Sequence, residues 1–268
     1  MYSVRAKKHL GQHFLTDLNI ARRIVDSISG GNVLEVGCGT GVLTRFLLER
    51  EDITLFGVEI DTESVACLTE RFPDFAPRLT EGDFLQLDLR RKFGDAPLRI
   101  IGNFPYNISS QIFFKVMENR DIVPEVVGMV QREVAVRIAE PPGSREYGIL
   151  SVLLQAWFDI EYLFTVNESV FSPPPKVKSA VIRLRRNSVK SLGCDEKLFV
   201  KVVKASFGQR RKMLRNSLRA VFGDFRGAES RFFTQRAETL SVVEFVELTN
   251  WIEANNVNLR NEIENDVK

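Results

Sequence analysis

The sequence predicts an α/β fold: a mostly parallel sheet with helices on both faces, followed by a small all-helical domain. Three observations carry this. Up to Gln131, short apolar runs alternate with stretches of helical spacing, as a sheet covered on both faces requires. The first run leads into a glycine loop, Gly37-Cys38-Gly39-Thr40-Gly41. After Arg186 the composition shifts, and Leu198, Val202, Leu214, Leu218, Val221, Val243, Val246 and Trp251 form a helical core pattern.

Lys7 to Leu15 has no clean period and carries a glycine, an amide and both histidines, which suits an ordered arm. Thr16 or Asp17 caps a helix whose apolar positions, Leu18, Ala21, Ile24, Val25 and Ile28, share one face, and Gly30-Gly31 ends it. Asn32 to Val36 is a short buried strand. The glycine loop and a helix through Val42, Leu43, Phe46 and Leu47 follow. Glycines let the backbone turn sharply and approach a ligand, and a helix N-terminus offers free N–H groups. A second strand, Thr54 to Glu59, ends in an acid, with Asp61 close behind and a helix from about Thr62 to Arg71. An acid in this place can accept both hydroxyls of a ribose. A third strand near Leu79 runs into Asp83, and a fourth, Leu98 to Asn103, runs into Phe104-Pro105-Tyr106.

Beyond that corner, Ser109 or Ser110 caps a helix with Ile112, Phe113 and Val116 inside, and Pro124 introduces a strand from Val126 to Gln131. The apolar runs Gly148 to Trp157 and Val177 to Leu184 show no intervening helix, so an antiparallel pair at the sheet edge is expected of them. Between them, Pro173-Pro174-Pro175 makes a stiff extended segment that holds Phe171 in place. The domains are therefore expected at 1–186, with 1–15 as an N-terminal arm, and at 187–268. In the second, Lys201 to Arg219 carries seven basic residues and no acid, and Arg211, Arg215 and Arg219 recur every four residues along one helix face. Charged helix faces usually mix signs, so an unmixed one favours a phosphate backbone over plain solvent. The polar tail from Asn255 is expected to fray.

With 37 basic and 35 acidic residues, net charge says little about partners. Cys38, Cys67 and Cys194 suit neither a disulfide framework nor a zinc site, and two histidines are too few for a typical imidazole centre, so no metal is expected. No apolar run approaches the roughly 20 residues that span a bilayer. A cytoplasmic monomer without a targeting segment is the expectation.

The Asn103-Phe104-Pro105-Tyr106 corner carries the chemistry. Pro105 lacks an N–H and pushes Phe104 towards an extended conformation, Asn103 offers an amide oxygen, and Tyr106 offers a flat ring. Together these suit an exocyclic amine on a planar ring; taken alone, they favour an ordinary strand-to-helix turn. The glycine loop fails the dinucleotide fingerprint, since its third position falls on Val42. With Glu35 before it and Glu59 twenty-two residues after Gly37, it resembles the S-adenosylmethionine site of class I (Rossmann-like) methyltransferases.

Four stretches extend the resemblance: Lys-Lys-His-Leu-Gly-Gln-His-Phe-Leu at 7–15, Gly-Asn-Phe-Pro-Tyr-Asn-Ile at 102–108, Phe-Ser-Pro-Pro-Pro-Lys-Val at 171–177 and Gln-Arg-Arg-Lys-Met-Leu-Arg-Asn-Ser-Leu at 209–218. They are similar to the KsgA-type small-subunit ribosomal RNA adenine N6,N6-dimethyltransferases. That resemblance implies S-adenosylmethionine as cofactor, small-subunit ribosomal RNA or a pre-ribosomal particle as partner, and dimethyladenosine as product, made during ribosome biogenesis. It places His13, Leu15, Gly37, Gly39, Gly41, Glu59, Asp83 and Asn103 around the cofactor. It makes Asn103, Phe104, Pro105 and Tyr106 the catalytic corner, and Tyr106, Phe171, Arg210, Arg211, Lys212 and Arg215 the substrate contacts. Three positions depart from the family's usual residues: His13 stands for Asn, Cys38 for Pro and Phe104 for Leu. Competing readings are a resistance-type methyltransferase of large-subunit rRNA, a nucleic-acid-binding assembly or transcription factor without catalysis, and a small-molecule N-methyltransferase, which the basic helical domain disfavours.

Overall fold

The computed structural model describes residues 4–223, 225 and 227–255. The tail beyond Asn255 lies outside them. The chain forms two compact units: Met1–Val136 with Phe158–Asn187, and Arg137–Trp157 with Ser188–Lys268.

In chain order the first unit contains β1 (Phe14–Leu15), α1 (Leu18–Asp26), β2 (Gly31–Val36), α2 (Thr44–Leu48), β3 (Ile53–Glu59), α3 (Thr62–Arg71), β4 (Leu79–Glu81), α4 (Leu89–Phe93), β5 (Arg99–Asn103), α5 (Ser109–Glu118) and β6 (Glu125–Gln131). After α6 (Arg132–Ala139) and α7 (Ile149–Gln155) come β7 (Phe158–Val166), β8 (Phe171–Ser172) and β9 (Ser179–Arg186). Seven strands make one sheet in the order β4-β3-β2-β5-β6-β9-β7. The pairs from β4 to β6 are parallel, and β9 runs antiparallel to both β6 and β7. Strand order reverses at β2, whose neighbours are β3 and β5, and ligands of open α/β sheets bind outside the carboxyl ends of the strands at such a switch point.

Local chemistry explains the elements beside that point. The Asp17 carboxylate caps α1 by accepting from Asn19 N at 2.8 Å and Ile20 N at 3.1 Å. The apolar stripe Ala21, Ile24 and Val25 then packs with Val33, Leu47, Leu55, Ile101 and Val127 in one core cluster. Asp61 caps α3 in the same way, accepting from Glu63 N and from Ser64 Oγ. At the other end of the sheet, buried Glu125 accepts from Ser29 N at 2.9 Å and Arg185 Nε at 3.0 Å. Those contacts hold its carboxyl below the usual range despite burial.

Phe104 shows how the sheet adapts to its corner. Its ring is fully buried, edge-on to Phe113 with centroids 5.8 Å apart. Gly102 and Gly128 lie opposite each other on β5 and β6. A Cβ on Gly128 would come within 2.5 Å of the Phe104 ring, and one on Gly102 within 2.9 Å of it and 2.5 Å of Val36 O. Two facing glycines thus open the slot that the large side chain fills. Gly102→Ala is expected to cost about 1–3 kcal/mol of overpacking strain, read as a lower urea midpoint at unchanged m.

The expected edge pair forms with a different partner. Residues 149–155 are helical, and it is Phe158–Val166 that pairs with Ser179–Arg186. Leu150 to Leu154 are all buried, so α7 shows no helical period in its sequence. Residues 137–157 also belong with the later helices, not with the sheet. Trp157 packs edge-on against Phe199 at 5.9 Å, and Gly143 N donates to Glu238 O at 2.7 Å.

The second unit continues with α8 (Glu196–Gly208), α9 (Leu214–Phe222) and α10 (Val242–Asn255). The expected single face for Arg211, Arg215 and Arg219 is corrected here. Helix α8 stops at Gly208, Gln209 to Met213 form a turn closed by Lys212 N donating to Gln209 O at 2.8 Å, and Arg211 sits in that turn. A run of basic residues at helical spacing does not reveal the break, because Gln, Arg and Lys are all good helix formers. Among the described residues, no helix is long and apolar enough to cross a membrane.

Candidate active site

The carboxyl ends of β2, β3, β4 and β5 open into one cavity of about 910 Å³, its mouth included. Its wall is built in four pieces.

The first is the glycine loop after β2. Gly37 and Gly39 adopt φ of 73° and 54°, a left-handed region that favours glycine. The loop is braced from β3, since Gly37 N donates to Val58 O at 2.9 Å and Gly39 N to Glu59 Oε2 at 2.8 Å. Gly41 also has positive φ but does not line the cavity; a Cβ there would meet Phe72 at 2.7 Å. Cys38 is buried, and desolvation with the nearby Glu35 and Glu59 raises its thiol well above the usual range, which removes it as a nucleophile.

Glu59 is the second piece. It is 4% exposed, and its other oxygen, Oε1, accepts from Asp61 N at 2.9 Å. Burial raises its carboxyl even though Asp61 and Gly39 donate backbone N–H groups to it. A carboxylate has about four acceptor sites, so acceptor capacity remains for a hydroxyl group of a guest. Beside it, apolar Ile60 is 50% exposed and faces the cavity. Asp83 lies two residues beyond β4, where Oδ1 caps a short turn by accepting from Leu85 N at 2.8 Å. Phe84 and Leu85 supply apolar wall next to it. Open space surrounds the position a Cβ on Gly82 would take. An adenosyl group fits this donor set: apolar surface for a ring, free carboxylate lone pairs for hydroxyls, and a second carboxylate for an amine.

The third piece is the corner after β5. Asn103 Nδ2 donates to the His13 carbonyl at 2.8 Å. A carbonyl only accepts, so this bond fixes the amide with its oxygen free. Phe104 N donates to Met129 O at 3.0 Å, and the Tyr106 hydroxyl bonds Ser179 Oγ.

The arm supplies the fourth. Lys7 forms an ion pair with Asp61 and another with Glu63 at 3.2 Å, and Gln12 Nε2 donates to Asp61 Oδ2 at 3.4 Å. Burial alone would raise the Asp61 carboxyl; Lys7, Ser64 and Gln12 hold it below the usual range. Strands β1 and β8 pair, Phe14 with Ser172 and Leu15 with Phe171, which ties the arm to the proline segment.

Of the residues singled out in the sequence, His13, Gly37, Gly39, Glu59, Asp83 and Asn103 to Tyr106 meet in this cavity. Leu15 and Phe171 do not; they are 3% and 4% exposed and lie in the core. Phe171 therefore has no free face for a base, a correction that follows from its pairing with Leu15. Arg210 lies in the second unit, where its guanidinium donates to the carbonyls of Arg145 and Tyr147, the latter at 2.8 Å, and Arg215 pairs with Glu229. Arg211 and Lys212 are exposed in the same unit. Lys7, Gln12, Ile60 and Phe84 escaped sequence reasoning. The signal for the first two was an arm motif with more polar residues than a loop needs.

Glu35, 1% exposed behind the loop, accepts from Thr44 Oγ1 at 2.6 Å, and burial raises its carboxyl to about 8. The folded chain thus keeps a proton that an unfolded glutamate loses near 4.5, so stability falls as pH rises through that window. Glu35→Gln retains an acceptor for Thr44 without titrating. Its melting temperature relative to the wild type is expected to rise between about pH 5 and about pH 8.

The ribosomal RNA adenine dimethylase family model matches residues 3–254. A relative from Bacteroides thetaiotaomicron, ribosomal RNA small subunit methyltransferase A, is 56% identical over 257 residues, 94% of this chain and 96% of its own. The protein of that name from Parabacteroides distasonis is 57% identical over 254 residues, 93% and 94% of the two chains. Among solved structures, a dimethyladenosine transferase from Plasmodium falciparum has a similar fold, with a TM-score of 0.74 at 23% identity over 91% of this chain and 98% of its own. The 23S rRNA methyltransferase ErmE follows at 0.63 and 24%, covering 87% and 99%.

Proposed function

The chain belongs to the ribosomal RNA adenine dimethylase family, and from that premise we propose that it transfers methyl groups from S-adenosylmethionine to N6 of adenines in small-subunit rRNA. The product is N6,N6-dimethyladenosine. The observation that carries this reading is the meeting, in one cavity, of the glycine loop, two strand-end carboxylates and an Asn103 amide whose oxygen is left free.

S-adenosylmethionine supplies an electrophilic methyl group. Glu59 binds the ribose hydroxyls, Asp83 the adenine amine of the cofactor, and Gly37 and Gly39 leave room for its methionine end. At the corner, Asn103 Oδ1 accepts one N–H of the target amine. The backbone carbonyl of Phe104 or Pro105 accepts the other, the Pro105 carbonyl keeping a second lone pair beside the bond it takes from Ile108 N at 3.2 Å. An adenine N6 is a poor nucleophile because its lone pair is spread into the ring; two acceptors in fixed places turn that lone pair towards the methyl group. Bond formation from N6 to the methyl carbon would break the carbon–sulfur bond and leave a neutral thioether, and the methylated nitrogen would give its extra proton to water, so positioning and electrostatics suffice without a strong base. A paired adenine must leave its stack at a cost of a few kcal/mol, and stacking on Tyr106 returns roughly 1–3 kcal/mol.

Arg211 and Lys212 are the exposed cations of the Gln-Arg-Arg-Lys turn and contact RNA phosphates in this reading. Charge reversal at both is expected to weaken RNA binding and lower the slope of log K against log salt by roughly 2, about one per lost contact. The protein acts as a monomer in the cytoplasm, with a small-subunit particle as its partner. Incubation with labelled S-adenosylmethionine and separate small- and large-subunit particles, followed by nucleoside analysis, tests the whole. Label in dimethyladenosine from the small subunit supports it; label from the large subunit only, or from neither, overturns it.

A further inference from the structure

We propose that Lys115 is a positioning residue for the base end of the cavity: its ammonium holds the turn after Asp83 so that one Asp83 oxygen is presented to an amine on a purine ring. This rests on the reading of Asp83 as acceptor for the cofactor's adenine amine. Lys115 is not in the cavity wall; Asp83, Phe84 and Leu85 are. It acts on them from α5.

Two contacts carry the inference. Lys115 Nζ donates to the Leu85 carbonyl at 2.9 Å and stands over the Phe84 ring, 5.5 Å from its centroid, a distance at which a cation is attracted to an aromatic face. Leu85 is thereby gripped at both ends, since its N–H donates to Asp83 Oδ1 at 2.8 Å. That bond commits Oδ1, so Oδ2 is the oxygen left for a guest, and the plane of the carboxylate follows the turn. The other bonds of the turn, Gln86 N to the Asp83 carbonyl at 3.1 Å and Leu87 N to the Phe84 carbonyl at 3.2 Å, are internal to it. Lys115 ties it to the helix that follows the Asn103–Tyr106 corner.

A lysine that merely covers surface lays its stem on apolar groups and keeps its charge in water. Lys115 instead turns its ammonium onto a main-chain carbonyl and a ring that is 3% exposed. Burial accordingly lowers its pKa from the ordinary lysine value, with the carboxylates of Glu118, Asp83 and Asp88 acting the other way.

Calorimetry on the full chain without RNA tests this with two probes, S-adenosylhomocysteine and its deamino analogue, in which hydrogen replaces the adenine amine. The wild type should bind the first about 10–100-fold more tightly, the worth of one hydrogen bond to a charged group. Lys115→Met keeps the stem and removes the donor. It should lower that ratio about threefold to tenfold by weakening S-adenosylhomocysteine, with Kd for the analogue kept within about twofold. Lys115→Arg keeps a charged donor and should hold the ratio within about twofold of the wild type. Both probes meet the same preparation, so a partly unfolded variant scales them alike and leaves the ratio untouched.

Equal losses of both probes in Lys115→Met would make the lysine a plain support of the wall and overturn the proposal. An unchanged ratio overturns it as well, and so does a Lys115→Arg that falls as far as Lys115→Met. Weaker binding confined to small-subunit particles would make Lys115 a phosphate contact and sink it too. The wild-type ratio separates this from the reading beneath it. A wild type that binds the two probes equally overturns the role given to Asp83, whereas a wild-type preference that survives in Lys115→Met overturns only the role given to Lys115.

Discussion

Asn103→Ala is expected to lower kcat by about 10²–10³-fold, the usual effect of removing one preorganised hydrogen-bonding group from a reacting centre, while Kd for S-adenosylmethionine changes less than about threefold. The asymmetry follows from the two ends of the amide. Nδ2 is committed to the His13 carbonyl and holds the arm, whereas Oδ1 is the end that the proposed function gives to the target amine. Truncation removes the acceptor that turns the N6 lone pair, and it also frees His13, whose main chain is still held by β1 and β8 pairing and by Thr16 N donating to Val170 O at 2.8 Å. Asn103→Asp is no gentler, since a carboxylate oxygen would then face the His13 carbonyl and repel it. Calorimetry with the cofactor alone separates the two roles of the residue. Cofactor binding lost together with transfer would show that Asn103 serves the methyl donor, and the assignment to the target amine would fail.

Why this corner was legible from sequence, and other parts of the site were not, comes down to range. Asn103, Phe104, Pro105 and Tyr106 are four consecutive residues, and all four reach the wall of one cavity. The glycine loop and Glu59 were legible for a related reason: parallel strands place every strand end on the same side, so chain order alone brings them together. Lys7 and Asp61 are paired across 54 positions, and nothing local announces that an arm lysine will find a helix cap. Phe171 failed for the opposite reason. The proline triplet does mark its neighbourhood, but whether a ring beside it faces the core or a guest depends on pairing with Leu15, which no periodicity over two residues can reveal. Helix α7 was missed because burial on all sides erases the very pattern that identifies a helix. The turn at Gln209 to Met213 was missed because its residues favour helix, and tertiary packing overrode them.

Glu59→Ala should show the complementary phenotype, a rise of about 10²-fold in Kd for S-adenosylmethionine with a much smaller change in kcat at saturating cofactor. Two losses combine. The ribose hydroxyls lose their acceptor, and the N–H groups of Gly39 and Asp61, which now donate to Oε2 and Oε1, lose the carboxylate that holds the glycine loop against β3. Hydrogen bonds to charged groups are worth about 1.5–3 kcal/mol each, and 1.4 kcal/mol is about tenfold in affinity, so one or two lost bonds give the expected size. Glu59→Gln should fall between: its amide offers a single oxygen, and its NH2 must face one of the two backbone donors. Titration distinguishes the contributions further. Burial raises the Glu59 carboxyl, so cofactor affinity should begin to weaken, as pH falls, above the ordinary carboxylate range, because the protonated acid has lost an acceptor site. In Glu59→Gln that pH dependence should vanish while the residual affinity stays level. An unchanged Kd in Glu59→Ala would leave Glu59 as a brace for the loop alone, and the ribose would then need another acceptor in the cavity, for which Asp83 is the remaining carboxylate.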